Sequence, residues 1–268
     1  MDPTAVIAQG VIDFLSILLI VRLQLLHLRG AYRALKTYLL FGLLESAIWF
    51  VNPSSRGPFD YRVVWIILKA VDWVLTLWIV YAVLSGVLRN LPGVLRFSRK
   101  LLNTTFLIAI IASLWTARAE YTASVGAAAP VTKLGHLVAI TFVVNRAVCT
   151  AELVIILAIL VFVLWFPVQI AKNLAVLVVG LVIYFSSTTV SWLAWSFWST
   201  GGPRSVHAID DIVAFVLALC LAYWTVFISN AGESVPVRIG HSWQAREQER
   251  LMVQLETMNA SLLRAARR

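Results

Sequence analysis

Long apolar runs separated by proline dominate the chain. Each run approaches the 20 or so residues that an α-helix needs to cross a hydrocarbon core of roughly 30 Å. The prolines fall between the runs, as expected for a residue that removes a helical hydrogen bond. Helices also satisfy every backbone polar group within lipid. The pattern therefore predicts seven membrane-spanning helices, at residues 5–27, 37–51, 61–88, 102–117, 137–166, 174–198 and 209–229.

The composition supports a membrane protein. Of the 268 residues 60% are hydrophobic and only 13% are charged, with a mean hydropathy of +0.86. Soluble proteins carry roughly 25% charged residues, and a soluble domain of this length would leave too much apolar surface in water. We expect an all-α, polytopic protein that crosses the cell membrane several times, with a bacterial inner membrane as the favoured location. Cys149 and Cys220 lie in apolar runs and are too few for a disulfide framework.

The basic residues predict the orientation. Lys and Arg are concentrated in the first, third and fifth connections and in the tail. The positive-inside rule then places the N-terminus outside and the C-terminus in the cytoplasm. The formal net charge of +9 is explained by this arrangement, so nucleic acid is not an expected partner. The expected partner is the lipid bilayer.

Ionisable residues within the apolar runs are the main candidate chemistry. A charge at mid-bilayer costs roughly 2.5–3.5 kcal/mol on insertion scales, yet several occur, mostly in the predicted outer halves of the helices. Lys69 and Asp72 are three residues apart, so they share a helix face and can pair. The sequence predicts a polar chamber that faces the extracytoplasmic side and holds a ligand or an ion. Its expected residues are Asp13, Glu45, Lys69, Asp72, Trp73, Arg146, Glu152 and Trp192. The alternative is a set of ion pairs that only fix helix packing.

No catalytic pattern stands out. The four histidines are scattered singly, without the spacing of a zinc site. Neither a phosphate-binding glycine loop nor a nucleophile elbow is present in the sequence. We therefore expect no enzyme, assign no catalytic residue and no metal ligand, and leave any cofactor open. The last predicted span lacks a lysine, which excludes a retinal Schiff base of the rhodopsin kind.

The chain divides into a bundle (1–230), a short linker (231–241) and a C-terminal helix (242–268). Apolar residues in that helix are spaced 4, 3 and 4 apart, which is a heptad seam. One interpretation is an oligomer formed beneath the membrane; the other is an amphipathic helix that lies on the headgroups. The seam consists of Leu251, Leu255, Met258 and Leu262.

Two resemblances add to this reading. The spans, with short loops and the first cytoplasmic turn AYRALKTYLL, resemble uncharacterised bacterial seven-transmembrane-helix proteins. The tail is similar to the signalling coiled coils of membrane sensors. Together they favour a sensor or receptor-like module, which would form a homo-oligomer or join a membrane complex. The alternatives are a non-catalytic subunit of a larger membrane complex, and an ion or proton pathway along Asp13, Glu45, Asp72 and Glu152.

Overall fold

The computed structural model describes residues 3–28, 30–51, 60–100, 102–104, 106–108, 111, 133–166, 169–198, 203–238 and 245–265. Within these ranges the protein is all-α apart from two three-residue strands. The helices are α1 (Pro3–Leu25), α2 (Ala31–Val51), α3 (Tyr61–Val87), α4 (92–100), α5 (Lys133–Trp165), α6 (Lys172–Trp198), α7 (Pro203–Phe227), α8 (Ala231–Ser234) and α9 (Ala245–Ala265); the strands are β1 (Gln169–Ala171) and β2 (Pro236–Arg238).

Most helix boundaries lie within a few residues of those predicted. The start of α3 has a local cause, because the Asp60 side chain accepts a hydrogen bond from the backbone N–H of Arg62. The fourth helix differs. It begins at Pro92, well before the predicted residue 102, since proline is well tolerated at the first position of a helix. The end of that predicted span, residues 112–117, lies outside the described residues.

Four of the described helices are long and apolar enough to cross a membrane. These segments are Val6–Leu25, Arg62–Val87, Ile140–Trp165 and Lys172–Ser191; the apolar part of α7, Asp211–Phe227, is shorter. Large side chains such as Phe14, Val161 and Phe215 are exposed on the outer surface. An apolar surface of this extent suits contact with lipid. The fold is therefore that of an all-α protein compatible with a membrane.

Six helices close into a ring. Each contacts the next in the order α1, α2, α3, α5, α6, α7, and α7 returns to α1, while α3 and α6 also touch across the ring. The core is densest around α6, where Leu177, Leu181 and Phe185 are fully buried. The ring therefore has an interior in which side chains of non-adjacent helices can meet.

The segments that follow α5 and α7 are joined at one end of the ring. Strands β1 and β2 pair antiparallel, with Ile170 opposite Val237. Buried Asn173 of α6 donates to the carbonyl of Ser229 at 2.6 Å and accepts from its N–H at 3.1 Å. The described part of the predicted linker 231–241, residues 231–238, thus contains α8 and β2 and is packed against α6, whereas 239–241 lie outside the described residues.

Helix α9 packs back on the body of the chain. Leu255 is only 2% exposed and belongs to the main hydrophobic core, with Leu262 packed beside it. The Asn259 side-chain oxygen accepts from the backbone N–H groups of Gly93 and Val94 at 2.6 and 3.3 Å. The first N–H groups of a helix have no carbonyl partner within it. Two such N–H groups of α4 thus find their acceptor on α9. The predicted heptad seam is thus partly covered within one chain, whereas Met258 stays exposed.

Candidate functional site

Helices α3 and α5 each present a polar stripe to the ring. Lys69, Asp72 and Thr76 are spaced three and four residues apart on α3, so they share one face. Asn145 and Glu152 are seven residues apart on α5, which also places them on one face. Because α3 and α5 pack against each other, the two stripes meet.

Glu152 is the most deeply buried charged side chain described, at 1% exposure. The buried hydroxyl of Thr76 donates a hydrogen bond to its carboxylate. A buried carboxylate without a partner would be strongly unfavourable, so this contact across the α3–α5 interface is what the buried group depends on.

Lys69 and Asp72 form an ion pair on α3, about one turn before Thr76 and so closer to the start of the helix. Lys69 Nζ lies 3.5 Å from Asp72 Oδ2, and the two side chains keep 24% and 21% exposure. Next to them the Trp73 indole N–H donates to Asn145 Oδ1 at 2.7 Å. Polarity therefore changes along the stripe, from a half-buried ion pair to the sealed carboxylate of Glu152.

Helices α2 and α6 complete the group. The Tyr38 and Tyr184 hydroxyls share a hydrogen bond of 3.0 Å across the ring. Asp72 lies within electrostatic range of both tyrosines, and Glu45 within range of Lys69. Four helices thus contribute to one polar cluster, which consists of Tyr38, Glu45, Lys69, Asp72, Trp73, Thr76, Asn145, Cys149, Glu152 and Tyr184.

The cluster occupies one level of the ring. Asp72, Glu152 and Tyr184 stand at similar distances from the ends of their helices at Val87, Trp165 and Lys172. With a rise of 1.5 Å per residue these distances are about 18 to 23 Å. Beyond Glu152, every residue of α5 from Leu153 to Trp165 is apolar. The polar groups of α5 therefore end near the middle of the bundle.

Five of the eight predicted chamber residues belong to this cluster, namely Glu45, Lys69, Asp72, Trp73 and Glu152. Asp13 is held between α1 and α2, where it accepts from Gln9 at 3.0 Å and from Ser46 at 2.9 Å. Arg146 is half-buried on α5, about 100° around the helix from Asn145. Trp192 lies in α6, but its side chain is outside the described residues.

Sequence reasoning missed Tyr38, Thr76, Asn145, Cys149 and Tyr184 as cluster members. Helical spacing from the charged residues points to Thr76 and Asn145, which fall on the faces of Asp72 and Glu152. The tyrosines carry no such signal, because tyrosine is ordinarily enriched at membrane interfaces without belonging to a polar site.

A second polar network lies at the β1–β2 end of the ring. The Tyr32 hydroxyl donates to Glu233 Oε2 at 3.2 Å. Burial raises the pKa of the Tyr32 phenol, and the charge and hydrogen bond of Glu233 raise it further, so the hydroxyl stays a donor. Arg22 of α1 donates to the Ile228 carbonyl at 2.9 Å. These contacts tie α1 to the end of α7 and α2 to α8.

Within the described ranges, no group of three or more His, Cys, Asp or Glu side chains could hold a metal ion. Comparison of the chain with protein-family models, with curated proteins and with solved structures finds no match.

Proposed function

We propose that the chain is a receptor-like membrane module that binds a small organic ammonium ion at the polar cluster. The carrying observation is the charge of the cluster: two acidic side chains, Glu45 and Asp72, lie within electrostatic range of Lys69, the single basic side chain among the cluster residues. In surroundings of low dielectric an uncompensated negative charge is costly, so a bound cation would stabilise the folded state.

The exposure of the cluster supports entry from the side on which α3 begins. Lys69 and Asp72 remain about a quarter exposed, whereas Glu152 is sealed. One turn before Lys69, the rings of Trp65 and Phe142 stack with centroids 4.7 Å apart. Aromatic faces attract cations, so this pair is a suitable wall for the approach of an organic ammonium ion.

The apolar second half of α5 favours binding over passage. An ion or proton pathway needs polar groups on both sides of the bilayer centre, and α5 provides none after Glu152. The cluster is therefore proposed as a closed site, and the pathway along Asp13, Glu45, Asp72 and Glu152 is the less favoured alternative.

A response to the ligand would travel along α6. This helix carries Tyr184 in the cluster and Asn173 at its start, where Asn173 holds Ser229 at the end of α7. A ligand that binds two positions of α6 unequally would shift the population between them. The readout would then reach the β1–β2 end, to which α8 is joined.

The full topology is part of the proposal. We propose seven spans, adding α2, the helix that begins with α4, and α7 to the four apolar helices, with the N-terminus outside and α9 in the cytoplasm. Exposed Arg62 and Ser234 then lie on opposite sides of the membrane. A membrane-impermeant thiol reagent applied outside intact cells should label Arg62→Cys and not Ser234→Cys. The reverse labelling would contradict this orientation.

The binding proposal is tested by thermal unfolding of the purified full chain. Methylammonium and tetramethylammonium are titrated separately at constant ionic strength, and sodium, potassium and magnesium serve as inorganic comparisons. A ligand at about one hundred times its Kd adds roughly 2.7 kcal/mol to the free energy of unfolding, so at least one of the two ammonium ions should raise Tm in a saturable way. Asp72→Asn and Glu152→Gln should abolish the rise. Glu256→Gln, which removes an exposed carboxylate of α9, should leave it intact.

The sign of the ligand charge is tested by Lys69→Met. Loss of the ammonium should strengthen cation binding, because the competing positive charge is gone. An unchanged Tm with every cation, or a rise that survives both carboxylate variants, would refute the proposal. Cation flux in reconstituted vesicles that falls in Asp72→Asn would favour the pathway instead.

A further inference from the structure

A stripe of exposed positions runs along the outside of α1. Its members, the α1 stripe, are Val6, Gly10, Asp13 and Ile17, which are spaced four, three and four residues apart and so share one face. Val6 and Ile17 are each 51% exposed, Gly10 is exposed, and Asp13 is half-buried. Leu19, on the opposite side of the helix from Gly10, is fully buried. Because this spacing is the one by which two helices pack along a seam, the α1 stripe is a surface on which a further helix can lie.

The α1 stripe lies at membrane depth. Val6–Leu25 is one of the segments long and apolar enough to cross a membrane, and Asp13 stands seven residues after its start and twelve before its end. At 1.5 Å per residue these separations are about 10 and 18 Å. An ionisable side chain at such a depth normally faces the interior of a bundle or pairs with an opposite charge. Asp13 instead belongs to an exposed face.

The partners of Asp13 are neutral. Its carboxylate accepts from Gln9 Nε2 at 3.0 Å and from Ser46 Oγ at 2.9 Å. Among the described residues no lysine, arginine or histidine forms an ion pair with it. Neutral donors satisfy the carboxylate oxygens without cancelling their charge. A negative charge therefore remains at the surface of α1, beside the exposed amide of Gln9.

Gly10 leaves room for a close approach at this charge. It precedes Asp13 by three residues, and a Cβ at this position would meet nothing within 4 Å. Association of helices in lipid uses small residues to bring backbones together and polar side chains to hold them. The neighbouring surface is apolar, since Ile7 and Phe14 are both about two-thirds exposed. The α1 stripe thus combines both features within one turn of an otherwise apolar surface.

Charge decides which helix fits the α1 stripe. A second copy that packed through the same stripe in a two-fold contact would bring two Asp13 carboxylates together. Like charges repel strongly where the dielectric is low. A helix with a positive charge opposite Asp13 would instead neutralise it.

We propose that the α1 stripe docks a membrane-spanning helix of another protein, which carries a lysine or arginine at the depth of Asp13. The cation pairs with the Asp13 carboxylate, Gly10 admits the partner backbone, and Val6 and Ile17 pack on apolar side chains to either side. Asp13 lies outside the polar cluster, so this docking does not depend on ligand binding there.

The test uses the purified full chain, labelled with a donor fluorophore and reconstituted in phosphatidylcholine vesicles. The probe is an acceptor-labelled single-span peptide of about 20 Leu and Ala residues with one Lys at the depth of Asp13. Two comparison peptides carry Gln or Leu in place of that Lys. Energy transfer, measured against the ratio of peptide to lipid, should show about tenfold tighter binding of the Lys peptide than of the Leu peptide. Equal binding of these two peptides would overturn the proposal, and Gln binding as tight as Lys would overturn the role of charge.

Asp13→Asn isolates the charge. The variant keeps an acceptor for Gln9 and Ser46 but is neutral, so it should lose the tenfold preference for the Lys peptide. Asp211→Asn is the matched control, because it removes an exposed carboxylate of α7 and should retain the preference. Retention of the preference in Asp13→Asn would also overturn the proposal.

Gly10→Leu isolates the close approach and keeps the test valid where Asp13→Asn does not fold. Because its Cβ enters open space, the variant should keep the wild-type Tm in detergent and lose tight binding of the Lys peptide. Val11→Leu is the control. Val11 is exposed, but it lies about 160° around the helix from Asp13, so tight binding should persist. Tight binding by Gly10→Leu would rule out docking on the α1 stripe.

A second copy as the occupant gives a different result. Energy transfer between two labelled copies of the chain would then be strong and would fall in Gly10→Leu, while the three peptides would bind alike. That outcome would overturn the proposal in favour of self-association.

Discussion

The Thr76 hydroxyl lies within hydrogen-bond distance of the buried Glu152 carboxyl and also of the Asp72 and Trp73 carbonyls of its own helix. Thr76→Val keeps the shape of the side chain and removes that donor, so we expect a loss of about 1–3 kcal/mol in the free energy of unfolding. Thr225→Val is the control, because among the described residues this buried hydroxyl donates to the Leu221 carbonyl of its own helix and to no side chain of another helix. Thermal unfolding in detergent measures both. Equal losses in the two variants would show that Glu152 does not depend on Thr76.

Gly180 allows the close approach of α6 and α7. A Cβ at this position would overlap the indole of Trp224, so Gly180→Ala should cost about 1–3 kcal/mol through overpacking. At Gly42, in α2, a Cβ meets nothing within 4 Å. Gly42→Ala should therefore be neutral or stabilising by up to about 1 kcal/mol, the gain in helix propensity. A destabilised Gly42→Ala variant together with a stable Gly180→Ala variant would contradict this packing.

One side chain of α9, that of Asn259, caps the first turn of α4. Asn259→Ala removes the acceptor for Gly93 and Val94, and a lost cap costs about 1 kcal/mol. We expect faster hydrogen exchange at residues 93–95 and earlier proteolytic cleavage of α9. Asn259→Asp keeps an acceptor and adds a negative charge near a helix N-terminus, which is favourable, so it should retain protection. The docking is refuted by identical exchange in the alanine variant and the wild type.

This docking bears on the predicted oligomer. Leu255 lies in the core of its own chain, so a coiled coil through Leu251, Leu255, Met258 and Leu262 would require α9 to leave α4. The heptad pattern predicts an apolar stripe on α9. Such a stripe can pack either on the body of its own chain or on α9 of a second copy. The oligomer stays a prediction, and the Asn259→Ala variant is the form of the chain in which it should be strongest.

The ring of helices is closed between its first and last members by Arg22. Its guanidinium donates to the Ile228 and Val226 carbonyls at the end of α7, where helical carbonyls lack partners of their own. Arg22→Met should lower the free energy of unfolding by about 1.5–3 kcal/mol, the range for hydrogen bonds to charged groups. Arg33→Met removes an exposed arginine and should change it little. Similar stability of the two variants in thermal unfolding would argue against this closure.

Sequence and structure agree best where a single helix decides the outcome. The boundaries of α3 follow from Asp60 and from the apolar run after it, and the pairing of Lys69 with Asp72 follows from their spacing. The earlier start of α4 was missed, because Arg96, Arg99 and Lys100 suggested a loop and the cap comes from a residue far along the chain.

By itself, the sequence determined that the chain is helical and that it carries long apolar segments with charges inside them. The reason is that hydropathy, helical period and proline placement act over a few turns of one segment. Only the tertiary structure decided that Tyr38 meets Tyr184, that Thr76 serves Glu152, and that Asn259 caps α4. These contacts join residues distant in sequence, and they depend on which helices are neighbours in the ring and on how each is rotated about its axis.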